Sequence, residues 1–298
     1  MKCRPLMPFY ACAPEQLDRR WLDCGYGVEA IMFAGSDLRA LPSIGRTLRG
    51  LSAPHTIHFP MNDADYVHDT AALEGLWRTI DTALECRASG VVAHSNCFVR
   101  VLDLPFADVA GLRARCLEIY AVIDEYLRGS DLWLGIENMP LMGDLGDDVD
   151  PPFVFLEDFA GFKFEHVVRV LDTAHWAGTW DTLEYVQAHG VPRELLPPTP
   201  VEPLRDTLAG GARIGHIHLS AAEGVAVPAP AGCETRAAGG GIPRGPEEAK
   251  RYEPMVTPVL DSDITVSLEV REDDYRVREN LWRALAWLTD MVEARTCP

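Results

Sequence analysis

The stretch 167–172, VVRVLD, is a short, mostly aliphatic run that ends on an acidic residue, Asp172. Runs of this length and composition are typical of strands that are buried on both faces of a parallel sheet. Seven further β-rich runs occur along the chain, and stretches with apolar residues at helical spacing separate them. Eight alternating strand and helix units predict a (β/α)8 TIM barrel of the α/β class.

We expect strands at about 4–9, 28–34, 55–60, 90–94, 132–137, 167–172, 213–219 and 264–270. We expect helices at about 14–24, 42–50, 69–88, 105–128, 155–163, 181–189, 246–260 and 273–294. With 298 residues, 47% of them hydrophobic, the chain has the length of one barrel, so we expect a single domain over 1–298. The long segments 138–154 and 220–245 are expected to lie over the C-terminal mouth, where barrels place substrate-binding loops.

The charge of the chain narrows the range of partners. The formal net charge is −18, and affinity for nucleic acid depends largely on cationic contacts with phosphates, so nucleic acid is disfavoured as a partner. No stretch approaches the roughly 20 apolar residues of a membrane span, and the first residues contain no apolar run of signal-peptide length. We therefore expect a cytoplasmic protein with a small-molecule substrate and no membrane partner; a homodimer is compatible with the sequence.

Ionisable residues stand at the ends of six consecutive predicted strands. Since the carboxyl ends of barrel strands converge on one mouth, these side chains should lie close together. They are His58, His94, Glu137, Asp172, His218 and Glu269. One such residue alone would be typical of a hydrogen-bonded rim position, but several buried carboxylates and imidazoles around one mouth need a cation or a tight hydrogen-bond network. Mixed imidazole and carboxylate ligands suit zinc, manganese or iron, so we expect one divalent ion, or two if His58 and His94 join.

Four further residues are candidates for contact with a substrate. His175 follows Asp172 by three positions, on the predicted turn that leaves the strand, where it can bind a substrate oxygen or a second metal. Trp176 is a candidate for the wall of the pocket, although an aromatic residue there is also typical of packing. Lys163 and Arg271 are the nearest basic residues that could hold a substrate anion.

At these strand ends the sequence resembles the xylose isomerase-like TIM barrel superfamily, which includes endonuclease IV and sugar isomerases and epimerases. The resemblance spans about 55–270. It is carried by TIHFP at 56–60, VVAHSN at 91–96, LGIENMP at 134–140, RVLDTAHW at 169–176, GHIHLS at 215–220 and VSLEV at 266–270. The segment GFKFEH at 161–166 also looks like endonuclease IV. The resemblance implies the barrel fold and dependence on a metal, but not one reaction, because the superfamily hosts several chemistries.

The epimerase branch uses one metal ion, and His175 matches a histidine that holds substrate in that branch. The chain departs from the branch in having Gly143 where an acidic residue is usual and Gly224 where an Arg is usual, which argues against the usual ketose epimerase. The metal ligands of that branch carry over to Glu137, Asp172, His218 and Glu269.

Endonuclease IV adds two histidines for further metal ions, which correspond to His58 and His94. Its third metal needs an Asp-x-His pair after the seventh strand, and the segment 220–245 contains no such pair. Cys233 and Glu234 lie near the expected place, and the sequence leaves open whether either of them substitutes. The resemblance therefore implies a two-metal version of that site with altered chemistry.

The leading hypothesis is an enzyme that acts on a small polyhydroxy or hydroxy-carbonyl substrate by metal-assisted proton transfer. Glu137, Glu269 and His175 are its catalytic candidates, and isomerisation, epimerisation and elimination by a lyase share the same first step. One alternative is a multinuclear iron or zinc enzyme that modifies a peptide or a specialised metabolite. A second alternative is an abasic-site nuclease like endonuclease IV. A third is a barrel that serves only as a binding module, which would be expected to have lost the carboxylates.

Overall fold

The computed structural model describes residues 3–141, 148–188, 213–222, 239–257, 260 and 263–293. Eight parallel strands form a closed barrel in which each strand pairs with the next and the last pairs with the first. The strands are β1 Arg4–Tyr10, β2 Gly27–Ile31, β3 His55–His58, β4 Gly90–Ala93, β5 Trp133–Glu137, β6 Val167–Asp172, β7 Ile214–His218 and β8 Thr265–Ser267. The predicted (β/α)8 barrel is confirmed.

Helices lie between the strands and cover the outside of the barrel. The α-helices are α1 Arg19–Asp23, α2 Leu41–Arg49, α3 Thr70–Cys86, α4 Val109–Leu127, α5 Thr173–Ala188, α6 Pro246–Val256 and α7 Glu279–Glu293. Short 3-10 helices occur at Pro14–Gln16, Gly35–Ala40, Val101–Phe106, Pro151–Phe153 and Leu156–Gly161. Within the described part of the chain, no helix has both the length and the apolar character that crossing a bilayer requires.

The interior of the barrel is filled by side chains beneath the mouth. Val92, Trp133, Val168 and Val170 form a buried cluster that is separate from the larger core between strands and helices. Gly90 makes room for this cluster, because a Cβ atom there would lie 2.3 Å from the Trp133 ring. The packed interior closes the bottom of the mouth and leaves the strand ends as the floor of any site.

The structure corrects three of the predicted elements. The helix predicted at 181–189 begins at Thr173, because the Asp172 carboxylate accepts a hydrogen bond from the backbone N–H of His175 at 2.6 Å and starts the helix directly after β6. His175 therefore lies in the first turn of α5 rather than on a loop. The helix predicted at 155–163 is only the 3-10 helix Leu156–Gly161, and the last strand ends at Ser267, two residues before Glu269.

Candidate metal centre

The six strand-end side chains lie around one mouth, at the carboxyl ends of strands β3 to β8. Those of His58, His94, Glu137, Asp172 and His218 are buried, and that of Glu269 is partly exposed. Sequence reasoning brought these residues together from the topology of a barrel, and the distances between their side-chain atoms now decide what the group can hold.

The Glu137 carboxylate lies at the centre of the group. Its Oε2 atom is 3.4 Å from Nε2 of His58, 3.4 Å from Nε2 of His94 and 3.1 Å from Nδ1 of His218. Its Oε1 atom is 3.0 Å from Nδ1 of His175. One carboxylate is thus shared by four imidazole rings that come from four different parts of the barrel.

A second set of ligand atoms surrounds His218. Its Nδ1 atom is 3.4 Å from Oε2 of Glu269 and 4.0 Å from Oδ2 of Asp172. Ligand atoms of His58, Glu137 and His218 lie within 4.8 Å of one another, and so do those of Asp172, His218 and Glu269. The two groups share His218, and Glu137 contacts both.

These residues fit a divalent cation. Among the described residues, His94 Nε2, His218 Nδ1 and Glu269 Oε1 are buried atoms without a hydrogen-bond partner. Two ligand atoms of a tetrahedral zinc ion, each bonded at about 2.0–2.1 Å, lie roughly 3.3–3.4 Å apart. The distances of 3.4 Å from Glu137 to His58 and to His94 match that separation.

Backbone carbonyls fix the orientation of two of the histidines. Nδ1 of His58 lies 2.7 Å from the carbonyl oxygen of Phe59, and Nδ1 of His94 lies 3.3 Å from that of Met61. A carbonyl can only accept, so Nδ1 carries the proton in both rings. In the neutral form of each ring the Nε2 lone pair would face Glu137, which is the tautomer that a metal ligand requires.

The ring of His218 is turned the other way, with Nδ1 rather than Nε2 toward the mouth. Its orientation depends on Glu29, a residue of β2 that the sequence did not single out. Nε2 of His218 lies 3.1 Å from Oε1 of Glu29, so Nδ1 faces the mouth. Thr56 donates a hydrogen bond to Oε2 of Glu29 at 2.6 Å, and Nε2 of His216 lies 3.2 Å from the same atom. Burial alone would raise the pKa of Glu29, but His218 and His216 lower it well below its ordinary value. An acidic residue inside the run VEAIMFA was the only signal of this role.

Asp150 is a further residue that the sequence did not single out. Its buried carboxylate accepts hydrogen bonds from the Ser95 hydroxyl at 2.6 Å and from the backbone N–H groups of Asn96 and Cys97 at 2.6 and 3.0 Å. These three residues directly follow His94. Asp150 thereby fixes the chain that leaves β4 and, with it, the place of the His94 ring.

The centre without a cation retains protons. Burial and the charges of Glu137 and Asp172 raise the pKa of Glu269 to about 8, although His218 opposes them. Burial lowers the pKa of His175, but Asp172 and Glu137 outweigh it and raise that pKa to about 9. A cation that offsets the carboxylates would release these protons, since metal binding and protonation compete for the same atoms.

A cavity of about 340 Å³ opens beside the centre. Asp172, His175, Glu269 and Arg271 line one side of it. Two of the predicted substrate contacts lie elsewhere. Lys163 is exposed and precedes β6, which places it at the opposite end of the barrel, and Trp176 packs against the core and against the Trp180 ring at 5.6 Å.

Comparison with solved structures identifies the fold. The TTHB071 protein from Thermus thermophilus, soaked with ZnCl2, aligns over 97% of this chain and 98% of its own, with 18% identity and a TM-score of 0.59. The 3-keto-D-glucoside 4-epimerase YcjR from E. coli aligns over 99% and 100%, with 14% identity and a TM-score of 0.59. Endonuclease IV from Thermus thermophilus aligns over 96% and 99%, with 16% identity and a TM-score of 0.53.

The chain has the xylose isomerase-like barrel fold. At identities of 14–18% the likeness shows the fold alone. No protein-family model matches the chain, and no curated protein sequence matches it. Four positions that the sequence resemblance drew on lie outside the described residues: Gly143, Gly224, Cys233 and Glu234.

Changing Glu29 to Gln is expected to weaken metal binding about 10- to 100-fold, because His218 loses the carboxylate that fixes its ring. The measurement is a zinc affinity from competition with a chromophoric chelator. Asp124→Asn is the matched control, since Asp124 accepts backbone hydrogen bonds from His166 and Val167 at the other end of the barrel. An unchanged affinity in Glu29→Gln would show that Glu29 does not orient His218.

The free energy of unfolding of the metal-free protein is expected to fall as the pH rises from 7 to about 9. The folded pKa values of Glu269, about 8, and His175, about 9, lie above their ordinary values of 4.5 and 6.5. The folded state therefore holds protons that the unfolded chain has released, and the stability they provide is lost as the pH rises through the folded pKa values. Urea unfolding with and without bound zinc measures this.

In that experiment the zinc-loaded protein should show a smaller slope, and so should a metal-free Glu269→Gln variant, because Gln does not titrate. A stability of the metal-free protein that is constant or increases over this range would contradict the expectation.

Proposed function

We propose that the chain is a divalent-metal-dependent enzyme of the sugar isomerase and epimerase type, which acts on a small hydroxy-carbonyl substrate by metal-assisted proton transfer. The observation that carries this is the position of Glu269, whose Oε2 atom faces His218 Nδ1 at 3.4 Å while its Oε1 atom has no hydrogen-bond partner among the described residues. Glu269 also lines the cavity, so one residue contacts both the metal ligands and the substrate space.

When bound, the metal ion supplies Lewis acidity, which polarises a carbonyl group and lowers the pKa of the adjacent C–H bond. Glu137, Asp172, His218 and Glu269 are the residues that would hold it, with His58 and His94 beside Glu137. The chemistry of the chain itself is the movement of a proton. Glu269 takes a proton from the substrate carbon at the carboxylate oxygen that does not hold the cation and returns it, to the same carbon or to its neighbour.

His175 orients the substrate in this proposal. Its Nδ1 atom lies 3.0 Å from the carbonyl oxygen of Asn138 and 3.0 Å from Oε1 of Glu137, so the ring is fixed at the edge of the cavity. Nε2 is then the ring atom that is available to a substrate oxygen. Asn138 is itself fixed, because it accepts a hydrogen bond from the backbone N–H of Asp172 at 2.8 Å.

Changing Glu269 to Gln is expected to abolish proton exchange at carbon while leaving most of the bound metal in place. The assay is exchange of substrate C–H for deuterium in D2O, followed by NMR over a panel of small hydroxy-carbonyl compounds, with metal content measured on the same samples. The exposed Asp273, changed to Asn, is the control. A fully active Glu269→Gln variant would contradict the role of Glu269.

A second candidate function is a multinuclear iron or zinc enzyme that modifies a peptide or a specialised metabolite. Its supporting observation is that Nε2 of His58 and Nε2 of His94 both face Oε2 of Glu137 at 3.4 Å, which provides ligands for a second ion. A one-ion epimerase centre at Glu137, Asp172, His218 and Glu269 does not use these two rings.

Metal content per chain separates the two candidates. A two-ion centre predicts two ions per chain, and the double variant His58→Ala and His94→Ala should retain one of them. Elemental analysis of the purified protein measures both numbers. Two or more irons per chain would favour the second candidate, whereas one manganese per chain, unchanged in the double variant, would favour a one-ion isomerase or epimerase.

A further inference from the structure

The cavity beside the metal centre has two unlike sides. The polar side carries Asp172, His175 and Glu269. In the strand order around the barrel, β1 to β3 lie across from β5 to β7. The lining residues from the ends of β1 and β2 and from the segments that follow β2 and β3 are apolar or aromatic, and we call them the apolar side. They are Phe9, Tyr10, Ile31, Phe33 and Met61, with Val270 and Tyr275 beside them.

Among the described lining residues on the apolar side, the side-chain hydrogen-bonding groups are the hydroxyls of Tyr10 and Tyr275. Tyr10 and Tyr275 pack with ring centroids 6.0 Å apart. Arg271, at the rim, donates to the carbonyl oxygen of Gly239 at 2.9 Å and packs against Gly240. A polyhydroxylated ligand would lose water from hydroxyl groups on this side without replacing those hydrogen bonds, which weakens binding.

The exposure of Phe33 is a second, independent indication that this side of the cavity binds an apolar group. The Phe33 side chain is 55% exposed at the edge of this cavity. Its backbone is fixed, because its N–H donates to Asp37 Oδ2 at 2.9 Å and its carbonyl oxygen accepts from the N–H of Asn62 at 3.0 Å. A large ring held open to water beside a cavity is stabilised when a ligand covers it with apolar surface.

The size of the cavity limits what the ligand can be. At about 340 Å³ it lies at the small end of the range for ligand pockets, about 300–1,000 Å³. It admits a small molecule with one bulky substituent. A metal ion at the polar side would bind a pair of adjacent oxygen atoms at one end of that molecule, and the apolar side would then contact the other end.

We infer that the substrate is a small 2-hydroxy or 2-keto acid, or a close relative with two adjacent chelating oxygens, whose remaining body is aliphatic or aromatic rather than polyhydroxylated. The chelating end meets the metal ligands. The apolar body packs against Ile31, Phe33 and Met61. This inference rests on the proposed function, since it takes the metal centre as the place where the substrate chelates, and it narrows that function from sugars to apolar acids.

The test is calorimetric titration of zinc-loaded protein with three probes that share the 2-hydroxy acid group. They are lactate, 3-phenyllactate, which adds a phenyl ring, and erythronate, which adds hydroxyl groups. We expect 3-phenyllactate to bind at least about tenfold more tightly than lactate, and erythronate to bind no more tightly than lactate. The double variant Ile31→Thr and Phe33→Ser should lose the preference for 3-phenyllactate and keep its affinity for lactate.

Phe106→Ser is the matched control, because Phe106 is 89% exposed and does not line the cavity. The Phe106→Ser variant should retain the preference for 3-phenyllactate over lactate. Equal binding of all three probes, or tightest binding of erythronate, would overturn the apolar substrate and leave the metal-dependent function standing. Failure of every probe to bind to the zinc-loaded protein would overturn this inference, whereas the proposed function would be overturned by the absence of metal-dependent deuterium exchange across the panel of hydroxy-carbonyl compounds.

Discussion

The Glu137 carboxylate is the group on which the rest of the mouth depends. His58 and His94 turn Nε2 toward it, because Nδ1 of each ring faces a backbone carbonyl, and in their neutral form they present the Nε2 lone pair. A lone pair and a carboxylate oxygen 3.4 Å apart repel each other unless a proton or a cation lies between them. Without a cation, protons on His218 and His175, whose pKa values the neighbouring carboxylates raise, offset the charge of the buried carboxylate; a cation would replace those protons. This constraint is why the ligand set points to a metal ion.

The register of the strands explains how the surrounding network forms. Glu29 pairs with Thr56 across β2 and β3, so the Thr56 hydroxyl reaches its carboxylate. His216 pairs with Thr265 across β7 and β8, and its Nδ1 atom lies 2.7 Å from the Thr265 hydroxyl oxygen. Neighbouring strands thus provide a hydrogen-bond partner for each of these polar groups beneath the mouth. These hydrogen bonds satisfy Oε2 of Glu29 and Nδ1 of His216, whereas Oε1 of Glu29 and Nε2 of His216 have no hydrogen-bond partner among the described residues.

Topology accounts for what the sequence could predict. Every barrel strand ends at the same mouth, so the positions of His58 and Asp172 followed from the strand boundaries alone. Glu29 did not follow, because its role depends on which strand residues lie opposite each other, and a one-residue change of register would turn it to the other face. Asp150 did not follow either, because its carboxylate caps a segment more than fifty residues away. The helix after β6 was missed because the Asp172 side chain, not hydrophobic periodicity, starts it.

The two sides of the cavity differ in the kind of interaction they offer: directional bonds at the polar side and apolar surface at the other. Nε2 of His218 contacts Oε1 of Glu29 at 3.1 Å, so Nδ1 faces the mouth and the orientation of the ring is constrained at the polar side. In the proposed substrate complex, directional bonds at that side would determine which atoms of the substrate lie beside Glu269. Apolar side chains such as Ile31 and Phe33 give no directional bonds, but each would contribute affinity in proportion to the surface it covers. On this proposal the polar side selects the reaction and the apolar side selects the body of the substrate.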